Sequence, residues 1–177
     1  MNTLEISKLL STHPVTAKVY VGTFPSDMMP RCILKRPAIC VANSDPHNLG
    51  GQHWLGFYLS DVCDDVVDYF DSYGNKPSDP TFISFLQRNG DVCVYNNKLM
   101  QDFTTDSCGM FVCLFLLFRC LGYSHEHFQR LFTRNLKSNE IIVSQLFTES
   151  FRNTVHISHL PLIPSSTEGC FHLQRGK

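Results

Sequence analysis

The sequence has no apolar run long enough to cross a membrane. Its longest, residues 110–118, is about half of the roughly 20 residues a spanning helix needs. It has no excess of either charge: 15 basic against 16 acidic residues leave a net charge of −1. Bulk charge therefore gives no argument for binding nucleic acid or a membrane surface. There is no block of like charges, no internal repeat and no low-complexity linker. The first ten residues mix polar and apolar side chains and lack a signal-peptide pattern, so the expected compartment is intracellular and reducing. The eight cysteines include no CxxC pair, and no histidine pair lies at finger spacing near two of them. That removes the common structural zinc patterns and leaves most thiols as small hydrophobes. Nothing in the sequence requires a metal or an organic cofactor.

What is present suits a single globular domain. The chain has 177 residues, 43% apolar and 18% charged, enough for one real core and too few for two. Residues 4–10 read as a short helix and 18–21 as a strand closed by Gly22. The stretch GTFPSDMMP, with two prolines and a glycine, reads as a loop. Residues 38–42 form a short apolar strand. Residues 53–59 alternate, His53, Leu55, Phe57 and Leu59 on one face and Trp54, Gly56 and Tyr58 on the other. A second strand at 66–71 completes a hairpin. A helix is predicted over 81–88 and a strand over 92–95. The segment 108–121 is apolar on nearly every side, the pattern of a buried helix. Amphipathic helices are predicted at 125–134 and 140–151, and a loosely held tail from about 161. Strands clustered between helices predict an α+β fold.

The segment QDFTTDSCGMFVCLFLLFRC raises the question of chemistry. Asp106 and Ser107 are good N-cap residues, and Cys108 opens the buried helix. A thiol there feels free N–H groups and the positive end of the helix dipole, which favour the nucleophilic thiolate. A core cysteine beside Cys113 is the other reading. A nucleophile needs a base, and the base an orienting group. If the hairpin turns near Val62, His53 lies opposite Asp71, close enough for cross-strand contact. His53 is then the base and Asp71 its orienter. A half-buried strand histidine and a turn-initiating aspartate are the plain readings of the same two residues. Slipping the register by one or two positions moves the partner to Ser72, Tyr73 or Tyr69. Gln101, in the polar loop before Cys108, is a candidate oxyanion donor together with the Cys108 N–H.

These residues carry a resemblance. GGQHW at 50–54, YFDSYG at 69–74, and a glutamine seven residues before Cys108-Gly109 are similar to the adenovirus protease (adenain) family. VYVGTFPSDMMP at 19–30 is similar to a segment near the N-terminus of the same family. The order His, acid, Gln, Cys is shared with the wider group containing the SUMO and ubiquitin-like-protein proteases. Similar proteases occur in virus-like transposons of the Polinton/Maverick type. The resemblance implies a papain-like fold of the adenain type, its central buried helix packed on a mixed sheet with surrounding helices. It implies a thiol endopeptidase with His53, Asp71 and Cys108 as the triad and Gln101 at the oxyanion. Adenovirus enzymes often have Glu where this chain has Asp71. Trp54 is expected to pack beside the site. The implied substrate is a polypeptide with glycine near the scissile bond, from viral or transposon structural proteins. The nucleus or a virion is the implied location for a viral member.

The family also uses an activating peptide, joined through a cysteine, and DNA. Cys93 is the candidate for such a link, against the reading of a buried strand cysteine between Val92 and Val94. Arg130, Arg134 and Lys137 fall at helical spacing and form a basic stripe, a weak footprint for DNA against a plain solvated face. NLGG at 48–51 resembles a glycine-type cleavage site, but also a turn feeding the histidine strand. Two other functions remain open: deconjugation of ubiquitin-like modifiers, and a catalytically silent protein-binding module of the same fold.

Overall fold

The computed structural model describes residues 1–62 and 66–151. In chain order the elements are α1 (Thr3–Thr12), β1 (Tyr20–Phe24), β2 (Ala38–Asn43), β3 (Trp54–Leu59), β4 (Val66–Phe70), α2 (Pro80–Asn89), β5 (Val92–Tyr95), α3 (Cys108–Cys120), α4 (His125–Arg130) and α5 (Leu136–Phe151). The five strands form one sheet in that same order. The central strand β3 runs antiparallel to both its neighbours, β2 and β4, and the two outer pairs are parallel.

Helices cover both faces. β3 sends Leu55, Phe57 and Leu59 into a core shared with Phe82, Phe85 and Leu86 of α2. Its opposite face sends Trp54 and Tyr58 into the core built by α3 with α1, α4 and α5. A strand buried on both faces has no polar side, which is why β2 and β3 are buried throughout. α3 is buried from Cys108 to Phe118 except at Met110. Gly56 lets it approach β3 closely: a Cβ at that position would stand 3.2 Å from Val112. Local signals fix the helix starts. Asn2 and Glu5 form a capping box on α1, and Asp79 caps α2 with Pro80 in its first turn.

Three expectations are corrected. β1 does not close at Gly22 but runs through it to Phe24, with an irregular register between Tyr20 and Gly22. The bare glycine makes room for the ring of Phe24, whose atoms a Cβ would meet at 2.6 Å. The hairpin register lies two residues from the expected one, with Gly56 opposite Phe70 and Tyr58 opposite Asp68. A two-residue slip keeps every side chain on its face, so the apolar pattern does not oppose it. Finally, α4 ends at Arg130 and α5 starts early, at Leu136. Lys98 Nζ donates to the carbonyls of Gln129 and Phe132, satisfying acceptors at the end of α4. The Asn135 side chain accepts from Ser138 N and starts α5. The tail predicted from about 161 lies outside the described residues.

Candidate active site

His53 immediately precedes β3 and Asp71 immediately follows β4. Because the two strands are antiparallel, both residues sit at the same end of the sheet, just past its ladder. There the chains are free to curve, and His53 Nε2 meets Asp71 Oδ1 at 2.7 Å although the two are not register partners. Asp71 is almost fully buried and held from several sides. Oδ1 also accepts from Tyr73 N at 2.8 Å, and Oδ2 from Asn75 Nδ2 at 3.0 Å. Asn96 brackets its backbone, accepting from Asp71 N at 3.0 Å and donating to Asp71 O at 2.5 Å. The imidazole stacks on Tyr73, ring centres 4.5 Å apart and planes 18° apart, and Tyr73 stacks in turn on Phe103.

Cys108 is the first residue of α3 and 7% exposed. The expected cap fails: the Ser107 side chain makes no capping hydrogen bond, and its hydroxyl pairs with that of Thr105 instead. As the first residue of the helix Cys108 has no intrahelical acceptor for its N–H, and none is found among the described residues. With Nε2 taken by Asp71, the ring nitrogen left for the thiol is Nδ1, which is buried and has no hydrogen-bond partner of ordinary geometry. The two groups perturb each other. Burial pushes the Cys108 thiol up, but the His53 imidazole and the N–H groups of Trp54 and Gly109 pull it down, and they prevail. Burial pushes His53 down, yet Asp71 and Cys108 together raise it to about 9. A raised imidazole facing a lowered thiol favours a thiolate–imidazolium pair.

Gln101 is completely buried near the start of α3. Its Oε1 accepts from Ser72 Oγ at 2.6 Å and its Nε2 donates to Thr105 O at 2.9 Å. An amide nitrogen carries two hydrogens, so one N–H remains unengaged among the described residues. Trp54 packs into the α3 core and donates its indole N–H to Met1 O at 2.9 Å.

Of the residues singled out from the sequence, His53 bonds Asp71 and lies near enough to Cys108 for each to shift the other, while Gln101 is tied to Ser72, the neighbour of Asp71 in the chain. Sequence reasoning missed the polar brackets Ser72, Asn75 and Asn96 and the stacked Tyr73. Ser72 and Tyr73 stand in the quoted YFDSYG stretch; for Asn75 and Asn96 no pattern in the chain announces the contact. Cys93 lies on β5 inside the α2 core, 3% exposed, and burial pushes its thiol up to about 12. Such a thiol offers nothing to an incoming peptide in this conformation. The basic stripe is not a helical face. Arg130 ends α4 and pairs with Glu126, Arg134 lies between helices, and Lys137 belongs to α5. No helix among the described residues is long and apolar enough to cross a membrane.

No family model matches the chain, and no curated protein matches it by sequence. Solved structures do share its fold. A crystal structure of the ASFV pS273R protease aligns with a TM-score of 0.59 and 17% identity, over 85% of this chain and 67% of that one. A selenomethionine crystal structure of the same protease aligns with a TM-score of 0.51 and 23% identity, over 67% of this chain and 46% of that one. ChlaDub1 from Chlamydia trachomatis is similar with a TM-score of 0.44 and 17% identity, over 68% of this chain and 63% of that one. The chain spans between about half and two thirds of the length of the ASFV protease structures. The expected α+β fold, a buried helix against a mixed sheet, is thus the fold of a known protease.

Proposed function

We propose that this chain is a cysteine-type endopeptidase with Cys108 as nucleophile, His53 as general base and acid, and Asp71 as the residue that orients the imidazole. One observation carries the reading. Asp71 engages Nε2 at 2.7 Å, which leaves Nδ1 for a thiol whose pKa is held down while that of the imidazole is held up.

The chemistry follows from that geometry. The Cys108 thiolate attacks a peptide carbonyl carbon. Negative charge moves to the carbonyl oxygen, where the free N–H of Cys108 and the unengaged N–H of Gln101 are the available donors. The C–N bond breaks as His53 delivers its Nδ1 proton to the leaving amine, and a thioester remains on Cys108. His53, now neutral, takes a proton from water. The oxygen of that water attacks the thioester and the C–S bond breaks; the new carboxylic acid leaves, giving its proton to solvent, and the thiolate–imidazolium pair is restored. Asp71 stays ionised throughout and keeps the ring in place.

The resemblance to adenain supports a polypeptide substrate with glycine near the scissile bond, in structural proteins of a virus or of a Polinton/Maverick-type transposon. A glycine vinyl sulfone should label the wild type and not Cys108→Ala. No labelling of the wild type would favour a silent binding module. Cys108→Ala should abolish turnover while leaving the fold intact, as read from an unchanged far-ultraviolet circular dichroism spectrum. His53→Ala should lower kcat by about 10²–10⁴-fold. Asp71→Asn should lose less, because it disturbs orientation without removing the base, and equal losses would contradict that ranking. Capsid-type peptides with Gly-Gly or Gly-x-Gly sites, compared with SUMO- and ubiquitin-linked reporters, test the substrate class. Cleavage of the reporters alone would replace endoproteolysis with deconjugation.

A further inference from the structure

Gln101 can serve an oxyanion only if its NH₂ end points the right way. A carboxamide offers an acceptor at one end and two donors at the other, and rotating it by half a turn exchanges them. Two contacts decide the matter here. The Thr105 carbonyl, 2.9 Å from Nε2, can only accept, so it fixes the NH₂ end on its own side. The amide oxygen then faces Ser72, whose hydroxyl donates to it at 2.6 Å. Both Ser72 and Gln101 are completely buried, so no solvent molecule at the surface substitutes for either bond. The Ser72 carbonyl adds two anchors, accepting from Met100 N at 2.9 Å and Gln101 N at 3.2 Å. Ser72 therefore grips Gln101 by its side chain and by its main chain. Its neighbour in the chain is Asp71, which holds His53.

We infer that Ser72 is a positioning residue for the oxyanion donor: its hydroxyl clamps the Gln101 oxygen, and this fixes the remaining N–H toward the reacting carbonyl. The inference rests on the peptidase reading given above. It makes the Asp71-Ser72 dipeptide a single brace, one side chain aligning the base and the next aligning the oxyanion donor. Ser72 touches no reacting atom, and its effect should be confined to the stabilisation of the tetrahedral intermediate.

The test is a double-mutant cycle on hydrolysis of a glycyl-glycine coumarylamide, paired with alkylation by iodoacetamide and with the side-chain amide resonance of Gln101, assigned with Gln101→Ala. Ser72→Ala, which removes one hydrogen bond, should lower kcat about ten-fold with KM unchanged. Gln101→Ala should lower it about 10²–10³-fold. Adding Ser72→Ala to Gln101→Ala should cost nothing more. Neither variant should change the alkylation rate of Cys108 or the two limbs of the pH profile, which report the thiol–imidazole pair. In Ser72→Ala the Gln101 amide resonance should move toward that of a free amide and lose its protection from exchange. Ser72→Cys, a close isostere with a weaker donor, should fall between wild type and Ser72→Ala. The clamp is overturned if Ser72→Ala cuts turnover equally with and without Gln101, if it shifts the alkylation rate, or if the amide resonance stays in place. A wild type that alkylates normally but hydrolyses no peptide would remove the peptidase reading, and the amide resonance would still decide the clamp.

Discussion

Cys108 and His53 titrate against the same burial, and pairing reverses its effect on both. Desolvation disfavours each charged form, so alone it would raise the thiol and lower the imidazole. Contact with each other, with Asp71 and with the N–H groups of Trp54 and Gly109 turns both shifts around. The sign of the pH dependence follows. As pH falls below the lowered pKa of Cys108 the thiolate is lost. As pH rises through about 9 the imidazolium loses its proton, and no acid remains for the leaving amine. The profile of kcat/KM should therefore be a bell, its acid limb below that of an ordinary thiol and its alkaline limb near 9, both belonging to the pair. Asp71→Asn removes the carboxylate whose hydrogen bond does most to raise the imidazole, and should move the alkaline limb down. Rates measured from acid to alkaline pH on wild type and variant check this, and an alkaline limb that stays in place would speak against the assignment. At this scale the four candidate residues were legible in the sequence because each proposed chemistry demands a particular side chain. Their brackets were not. Asn96 is a buried asparagine that bonds Asp71 from 25 positions away, and no periodicity encodes such a contact. Ser107 was misread for an instructive reason. A serine before a helix usually caps it, but here the Ser107 hydroxyl is taken by Thr105, a partner two residues back that no helix-start pattern announces.

The elements that carry these residues meet where one side chain is missing. Gly56 of β3 faces Val112 and Leu116 of α3, with a Cβ there at 3.2 and 3.6 Å from their side chains. β3 begins one residue after His53, and α3 begins with Cys108. Gly56→Val should overpack this seam, costing about 1–3 kcal/mol and pushing the two groups apart. A lowered melting temperature together with slower alkylation of Cys108 is the expected outcome; loss of stability with the alkylation rate unchanged would mean the seam does not bear on the spacing. Most elements could be read from apolar pattern, since α3 is apolar all round and β3 has two buried faces. The register could not. A slip of two residues preserves which side chains face which core, so pattern leaves it undecided. His53 and Asp71 met despite the wrong register because both lie beyond the ladder, where pairing does not dictate contact.

For the whole molecule, acid should be the more damaging direction for stability. His125 is completely enclosed between Phe70 and Phe115, with ring centres at 6.3 and 4.6 Å. Burial first, and the charge of Arg119 second, lower its pKa from the ordinary 6.5 to about 3. An unfolded chain takes up that proton as pH falls through 6.5, while the native chain does not until about 3. Across that window this group costs the native state up to about 1.4 kcal/mol per pH unit. His53 has the opposite sign. Its contribution is complete below 6.5 and is lost as pH rises through about 9. Urea midpoints should fall from neutral toward acid pH, and His125→Phe should flatten that fall. An unchanged slope in the variant would show that other groups set it. The buried position of α3 has a further consequence. Cys108 is fixed only once α4 and α5, which follow it in the chain, have closed over that helix. On a ribosome, where chains fold from the N-terminal side as they emerge, that closure follows the synthesis of all five strands. A chain halted before α5 would leave α3 uncovered, so the seating of Cys108 depends on residues synthesised after both it and His53.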